Sequence, residues 1–361
     1  MQYPTISEYV KASQDAGDNL DMSTEATNAE LNEANTDEFG VKYSKDGRKL
    51  LEAPYELDVT YSIKEGTKII CNWAFSGCRS LTGIVIPDSV TSIGNHAFEG
   101  CSPLNSLVLP DGVTSIGDSA FEDCFALFDI VIPDSVTSIG DRAFVNCRSL
   151  SSLVIPDGVT GIGYGAFFYC FSLNSVVIPD SVTSIGEYAF SGCRSLSSLV
   201  LHDGVTSIGY GAFDGCESLH SVVIPDSVTS IGNCAFENCS SLHSLIIPDG
   251  VTNIGDNAFS GCRSLSSIVI PNSVTSIGHS AFLDCESLSS IVIPDSVTSI
   301  GDRAFLDCES LTDIVIPNSV TSIGDHAFAN CSLPYDLKQE LSSRFREGIF
   351  KQLYGLYYHG E

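Results

Sequence analysis

The chain has 361 residues and carries 45 acidic against 17 basic side chains, a formal charge of −28. A surface this negative repels phosphate backbones and anionic lipid, which argues against nucleic acid or a membrane surface as a direct partner. With 43% hydrophobic residues the bulk of the chain can pack, yet no stretch nears the roughly 18 unbroken apolar residues of a membrane-inserting helix.

Residues 1–39 are dense in Asp, Glu and Asn from Asp15 to Asp37 and read as an acidic, partly mobile segment. Thr5-x-x-Glu8 has the form of a capping box, so a short helix is expected to start there. The opening MQYPTISEYVKASQD has no basic start and no apolar run, so no signal peptide is read in it. A cytoplasmic chain fits that reading, and so does an exported one whose leader lies outside this sequence. Val41 to Leu51 reads as a hairpin turning near Asp46-Gly47, which makes residues 40–63 a natural N-terminal cap.

From 64 to 332 the sequence repeats. Twelve cysteines, Cys78 to Cys331, recur every 23 residues, and eleven leucines from Leu81 to Leu311 open eleven full units. Within one unit, Leu81, Ile84 and Ile86 point inward along a short strand while Val85 points out. Pro87 ends that strand, and Pro87-Asp88-Ser89 is a turn signal. Val90 and Ile93 face inward again on the opposite wall. Gly94 is expected to supply a backbone shape that other residues resist, and Ala97-Phe98 a tight helical turn. Cys101 closes the unit as a small buried residue. One turn cannot bury its own inward face, so the turns must stack, at about 4.8 Å each, with parallel strand pairing.

Past Cys331 the repeat stops. Pro334 sits where a first helical turn tolerates it, and Leu333, Leu337, Leu341 and Phe345 recur every fourth residue. Phe350, Leu353, Leu356 and Tyr357 suggest a second apolar piece, so residues 333–361 read as a C-terminal helical cap.

The pattern Leu-x-x-Ile-x-Ile-Pro-x-x-Val-x-x-Ile-Gly-x-x-Ala-Phe-x-x-Cys resembles the BspA-type (Treponema pallidum-type) leucine-rich repeats over residues 64–332. The resemblance implies an α/β repeat solenoid, a right-handed coil of about 12 turns with a parallel β-sheet on one face and a cap at each end. It also implies a protein-binding role, often at a bacterial or protist cell surface or in secreted form, and no cofactor.

One cysteine per turn, always facing the same way, reads as structural burial in preference to disulfides or a metal site. Cys71 takes the place of the repeat glycine, and Cys234, at a variable and expectedly exposed position, reads as the most reactive thiol. The aspartate ladder from Asp88 to Asp295 is accounted for by Pro-Asp turns, and Asn272 and Asn318 do the same job; calcium is the lesser reading. His220 and His243 should neighbour each other at the strand entrance, without enough further ligands for a metal. No nucleophile elbow or metal-helix motif is present, so the chain reads as non-enzymatic.

Candidate binding surfaces are the outward valine and serine stripe of the strands and the places where the repeat is broken. Tyr164, Phe168, Tyr169, Phe171, Tyr188 and Tyr210 crowd three consecutive turns at positions held elsewhere by small or charged residues, with Phe125 and Phe128 shortly before. Such a cluster fits a binding site for a protein partner, or lateral packing between turns. Carbohydrate recognition by the same tyrosines is a further reading. A self-associating structural scaffold inside the cell is the alternative function.

Overall fold

The computed structural model describes residues 23–58 and 60–352. The Thr5–Glu8 capping box and the apolar Leu353, Leu356 and Tyr357 lie outside the described residues.

The repeat forms a solenoid of 23-residue turns with three walls. On the first, three-residue strands such as Ser106–Val108 and Asp129–Val131 pair in parallel, Leu107 opposite Ile130. The middle residue of each is buried and both neighbours are exposed, as the period of two requires. The Pro87-type turn follows, closed by the Val90 amide donating to the Pro87 carbonyl at 3.0 Å. A second parallel ladder then lines the opposite wall, with Ser115–Ile116 paired to Ser138–Ile139, so strand pairing is not confined to one face.

The third wall departs from the expected helical turn. Its amides alternate: Phe98 and Gly100 donate to Ala120 and Glu122 of the next turn at 2.8 Å, while Cys101 bonds back to Phe98 within its own turn at 3.1 Å. Two left-handed residues per turn make that alternation feasible, His96 (φ 56°) and Gly100 (φ 70°) in one unit. Gly94 is required for a different reason from the one expected. Its φ is not left-handed; instead, a Cβ there would stand 2.6 Å from the Asn72 amide nitrogen of the preceding turn. The tight approach of neighbouring turns, not backbone shape, selects glycine.

Twelve phenylalanines, Phe75 to Phe328, stack along the inside, with successive rings 5.1–5.7 Å apart and within 14° of parallel. Beside them run the repeat cysteines. Cys124 Sγ donates to the Phe98 carbonyl of the turn before at 3.2 Å, and the contact recurs from turn to turn. None of the 14 cysteines is in a disulfide, and all are buried. Burial pushes the Cys78 thiol up to about 11 and those of Cys124 and Cys170, deeper in the column, higher still.

Both ends of the core are covered. Helix α1 (Asn28–Asn32) starts in a capping box formed by Thr27 and Glu30. Strands β1 (Asn35–Thr36), β2 (Lys42–Tyr43) and β3 (Lys49–Glu52) pair antiparallel in sequence, and β3 then joins the second wall through Leu50 opposite Ile70. Buried Lys49 reaches Glu30 at 3.0 Å, tying α1 to this sheet. Tyr43 and Tyr61 share a 2.5 Å hydroxyl bond, and Tyr61 donates to Asp37 at 2.6 Å. At the other end, helix α2 (Tyr335–Arg344) and a 3₁₀ turn (Glu347–Phe350) bury Leu333, Leu341 and Ile349. Phe328 donates to the Ile349 carbonyl at 2.8 Å, the bond that phenylalanines elsewhere in the column make to the alanine of the next turn. The 3₁₀ turn thus stands in for a missing repeat.

Candidate functional site

The six aromatic departures from the repeat all lie on the third wall, in the turns built on Phe167, Phe190 and Phe213, and they meet. Tyr188 is the hub, with Tyr164, Phe168 and Tyr210 at ring distances of 5.9, 6.1 and 5.1 Å. Phe168 stacks on Tyr169 at 3.9 Å, and Tyr169 meets Phe171 at 5.5 Å. Edge-on and tilted contacts at these distances suit the quadrupoles of the rings. Lateral packing between turns and an exposed surface therefore coexist: Tyr164, Tyr169 and Tyr210 remain 45%, 41% and 39% exposed.

Two of these tyrosines occupy left-handed backbone positions, and one of the two positions is filled in every other turn by small or turn-forming residues. Tyr188 (φ 54°) and Tyr169 (φ 61°) sit in the two left-handed columns. Eleven of the twelve residues in the Tyr169 column are Gly, Asn or Asp, the types that accept this conformation most readily. A bulky side chain there costs roughly 1–2 kcal/mol, and strain of this kind concentrates at functional sites. Each ring also needs space in the following turn. Tyr169 lies on Gly192, and Tyr188 lies on Gly211, where a Cβ would stand 2.9 Å from the ring.

Beside this cluster a groove of about 490 Å³ crosses the next turns. Tyr169 closes one end and Arg263 the other, Gly192 and Gly215 lie along it, and Arg194, Asp214 and Asn238 line it. Asn238 Nδ2 donates to Asp214 at 3.2 Å, and Arg194 pairs with Glu217 at 3.3 Å. Burial pushes the Asp214 carboxyl above its usual range, against the pull of its hydrogen bonds to Asn238 and Ser191.

The sequence reading missed the groove and also a cation–π column. Arg148 lies 4.8 Å from the Phe125 ring centroid and 5.5 Å from that of Phe171, and Arg194 lies 5.2 Å from Phe171 on its other side. The signal was present: Phe125, Arg148, Phe171 and Arg194 are spaced by 23. Phe125 thus joins the margin of the cluster through Arg148.

Cys234 corrects an expectation. It is 9% exposed rather than open, lies 3.5 Å from the Tyr210 hydroxyl, and burial pushes its thiol up to about 11. Its position is variable in sequence, but the ring from the previous turn covers it, so it is not a reactive thiol. His220 and His243 are adjacent, the His243 amide donating to the His220 carbonyl at 3.5 Å, and both are exposed. Among the described residues no three His, Cys, Asp or Glu side chains converge as a metal site would require, and no helix is long and apolar enough to cross a membrane. The outward residues of the first wall, Val85 to Val315 with Ile246 among them, are 50–70% exposed on eleven successive turns.

Comparison with known proteins places this geometry. A family model for the BspA type leucine rich repeat region matches in six copies, over residues 59–174, 160–289 and 235–356. A leucine-rich repeat protein from Bacteroides ovatus is similar at 31% identity, covering 89% of this chain and 97% of the other, with a TM-score of 0.56. A leucine rich cell surface protein from Faecalibacterium prausnitzii is similar at 32% identity, with 90% and 98% coverage and a TM-score of 0.58. A leucine-rich repeat protein from Eubacterium ventriosum follows at 25% identity, 78% and 84% coverage and 0.52. No curated protein is matched.

Proposed function

Because the chain belongs to the BspA-type leucine-rich repeat family, we propose that it is a non-enzymatic protein-binding solenoid that recognises a protein on a host or neighbouring cell. The observation that carries this is the aromatic cluster centred on Tyr188. Six rings from three turns are contiguous and partly exposed, and one of them, Tyr169, is held in a left-handed position that every other turn fills with Gly, Asn or Asp. Large aromatic side chains around a packed centre are what binding hot spots are made of. A surface location is supported by the Faecalibacterium relative, which is described as a cell surface protein. The test is capture of surface proteins by the immobilised full chain. Tyr164→Ser, Tyr188→Gly and Tyr210→Ser combined should abolish capture of the retained protein while circular dichroism stays unchanged. Equal capture by the variant overturns the site.

A second reading, a self-associating scaffold, is favoured by the eleven-rung valine stripe, an apolar strip of sheet left open to solvent. Sedimentation of the purified chain separates the two. Concentration-dependent assembly that Val154→Lys with Val200→Lys abolishes supports the scaffold, and a monomer at all concentrations removes it.

A further inference from the structure

We propose that the groove between Tyr169 and Arg263 binds a neutral oligosaccharide, its sugar faces against Tyr169 and its hydroxyls on Asp214, Asn238 and the Arg194–Glu217 pair. This ligand class differs from the protein partner proposed above; the groove shares Phe168, Tyr169 and Tyr188 with the aromatic cluster, while Asp214, Gly215 and Asn238 lie outside it.

Shape is the first argument. From Tyr169 to Gly261 the groove crosses four turn-to-turn steps, about 19 Å at the strand spacing of roughly 4.8 Å. It is open along its length and has a volume of about 490 Å³, within the range of small-molecule sites. The left-handed column supplies Gly192 and Gly215 along it. A Cβ on Gly215 would meet only the Gly192 backbone, 3.7 Å away, so side chains leave that stretch clear. An elongated, shallow channel a few sugar units long suits a chain of pyranoses better than a compact metabolite.

Charge is the second. The solenoid between Leu81 and Cys331 holds five basic residues in a chain of net charge −28, and two of the five, Arg194 and Arg263, line this groove. Arg194 pairs with Glu217 and Arg263 with Glu286 just outside the groove, and the lining's own two arginines are matched in number by Asp214 and Glu217. Neither a cation nor an anion is preferred by such a set. Paired carboxylate, guanidinium and amide groups instead match the alternating donor and acceptor of vicinal hydroxyls.

The third argument is the aromatic end. Tyr169 presents its ring beside these polar groups, and it is the single member of its column that is not Gly, Asn or Asp. An aromatic face next to a planar polar cluster is the pairing a sugar needs, since its C–H face is apolar and its rim is polar. Asp214 accepts from Asn238 Nδ2 at 3.2 Å and lines the groove beside Tyr169 and Arg194, which places a hydroxyl acceptor within it.

The experiment is a screen of the full chain against an array of neutral glucans, mannans, galactans and host-type glycans, followed by calorimetry on the strongest binder at low and high salt. Binding should persist at high salt. It should fall about tenfold or more in Tyr169→Asn, which restores a residue type the column carries in other turns, and in Asp214→Asn. Gly215→Asn, tolerated by a left-handed backbone, should block the channel to a similar extent. Retention of no neutral glycan overturns the proposal, as does binding that all three variants leave unchanged. Competition by an extended peptide with the same sensitivity to the variants reassigns the groove to protein and also overturns it. Asp214 and Gly215 lie outside the aromatic cluster, so loss of glycan binding in Asp214→Asn or Gly215→Asn with undiminished protein capture leaves the protein-binding reading intact, and the two readings fail separately.

Discussion

The ring of Tyr188 packs against Gly211 of the following turn, with its Cδ1 and Cε1 2.9 Å from the place a Cβ would occupy. Both residues are left-handed, at φ 54° and 55°, so the contact joins equivalent positions of neighbouring turns. Gly211→Ala is therefore expected to destabilise twice, through backbone strain of about 1 kcal/mol and through collision with the ring. In a Tyr188→Gly background only the strain remains. Urea unfolding of the four proteins gives the coupling energy directly; additive effects would show that the ring does not bear on the glycine.

The thiols should be silent in the folded protein. All 14 are buried, and burial raises Cys78 and Cys234, the least deep of those shifted, to about 11. Reaction with a thiol reagent at pH 8 is expected to be negligible in buffer and to rise together with unfolding in denaturant. A single fast-reacting cysteine in the native chain would contradict the placement of Cys234 beneath Tyr210.

Asp214 makes stability depend on pH. Its carboxyl is raised in the folded state, chiefly by burial, so folding disfavours the ionised form. The penalty is absent below the unfolded carboxyl value, near pH 4, and grows as pH rises through the folded one. Asp214→Asn should thus unfold at a higher temperature than the native chain at pH 7.5, and the gap should close toward pH 3.5. A variant less stable at pH 7.5 would show that the carboxylate holds the turn together.

Leu341 of α2 is fully buried against the end of the core. Leu341→Ala should cost about 2–4 kcal/mol, and in a solenoid that loss acts first on the nearest turns. Hydrogen exchange is expected to speed up around Phe328 and Cys331 while amides near Phe190 keep their protection. Uniform acceleration along the chain would mean the solenoid unfolds as one unit.

The 23-residue spacing made the fold legible, because each inward position recurs often enough that Leu81, Phe98 and Cys101 explain their own burial. The aromatic departures were legible for the same reason, since they interrupt columns. What escaped is the conformation of the third wall. Ala97-Phe98 suggests a helical turn, and only the recurrence of Gly, Asn and Asp in the Gly100 column betrays left-handed backbone. Without it, neither the strain at Tyr169 nor the clear channel over Gly215 follows. Cys234 was misjudged because its column is mostly polar, and the covering ring comes from Tyr210, one turn earlier. The Arg148 sandwich was hidden because Phe125 and Phe171 were read as part of an aromatic crowd, not as alternate rungs with an arginine between them.

The turn-to-turn bond from a phenylalanine amide to the next alanine carbonyl recurs from Phe75 to Phe305, which makes most joints in the rod chemically equivalent. A tandem duplication or loss of one 69-nucleotide coding unit therefore leaves these joints satisfied. The overall reach can then change in whole 23-residue steps, each of which repeats a joint already present. Turns bearing Tyr169 and Tyr188 are exempt, since a step inserted there would separate their rings from Gly192 and Gly211, which receive them. Length is thus free to drift on either side of a segment whose register is fixed.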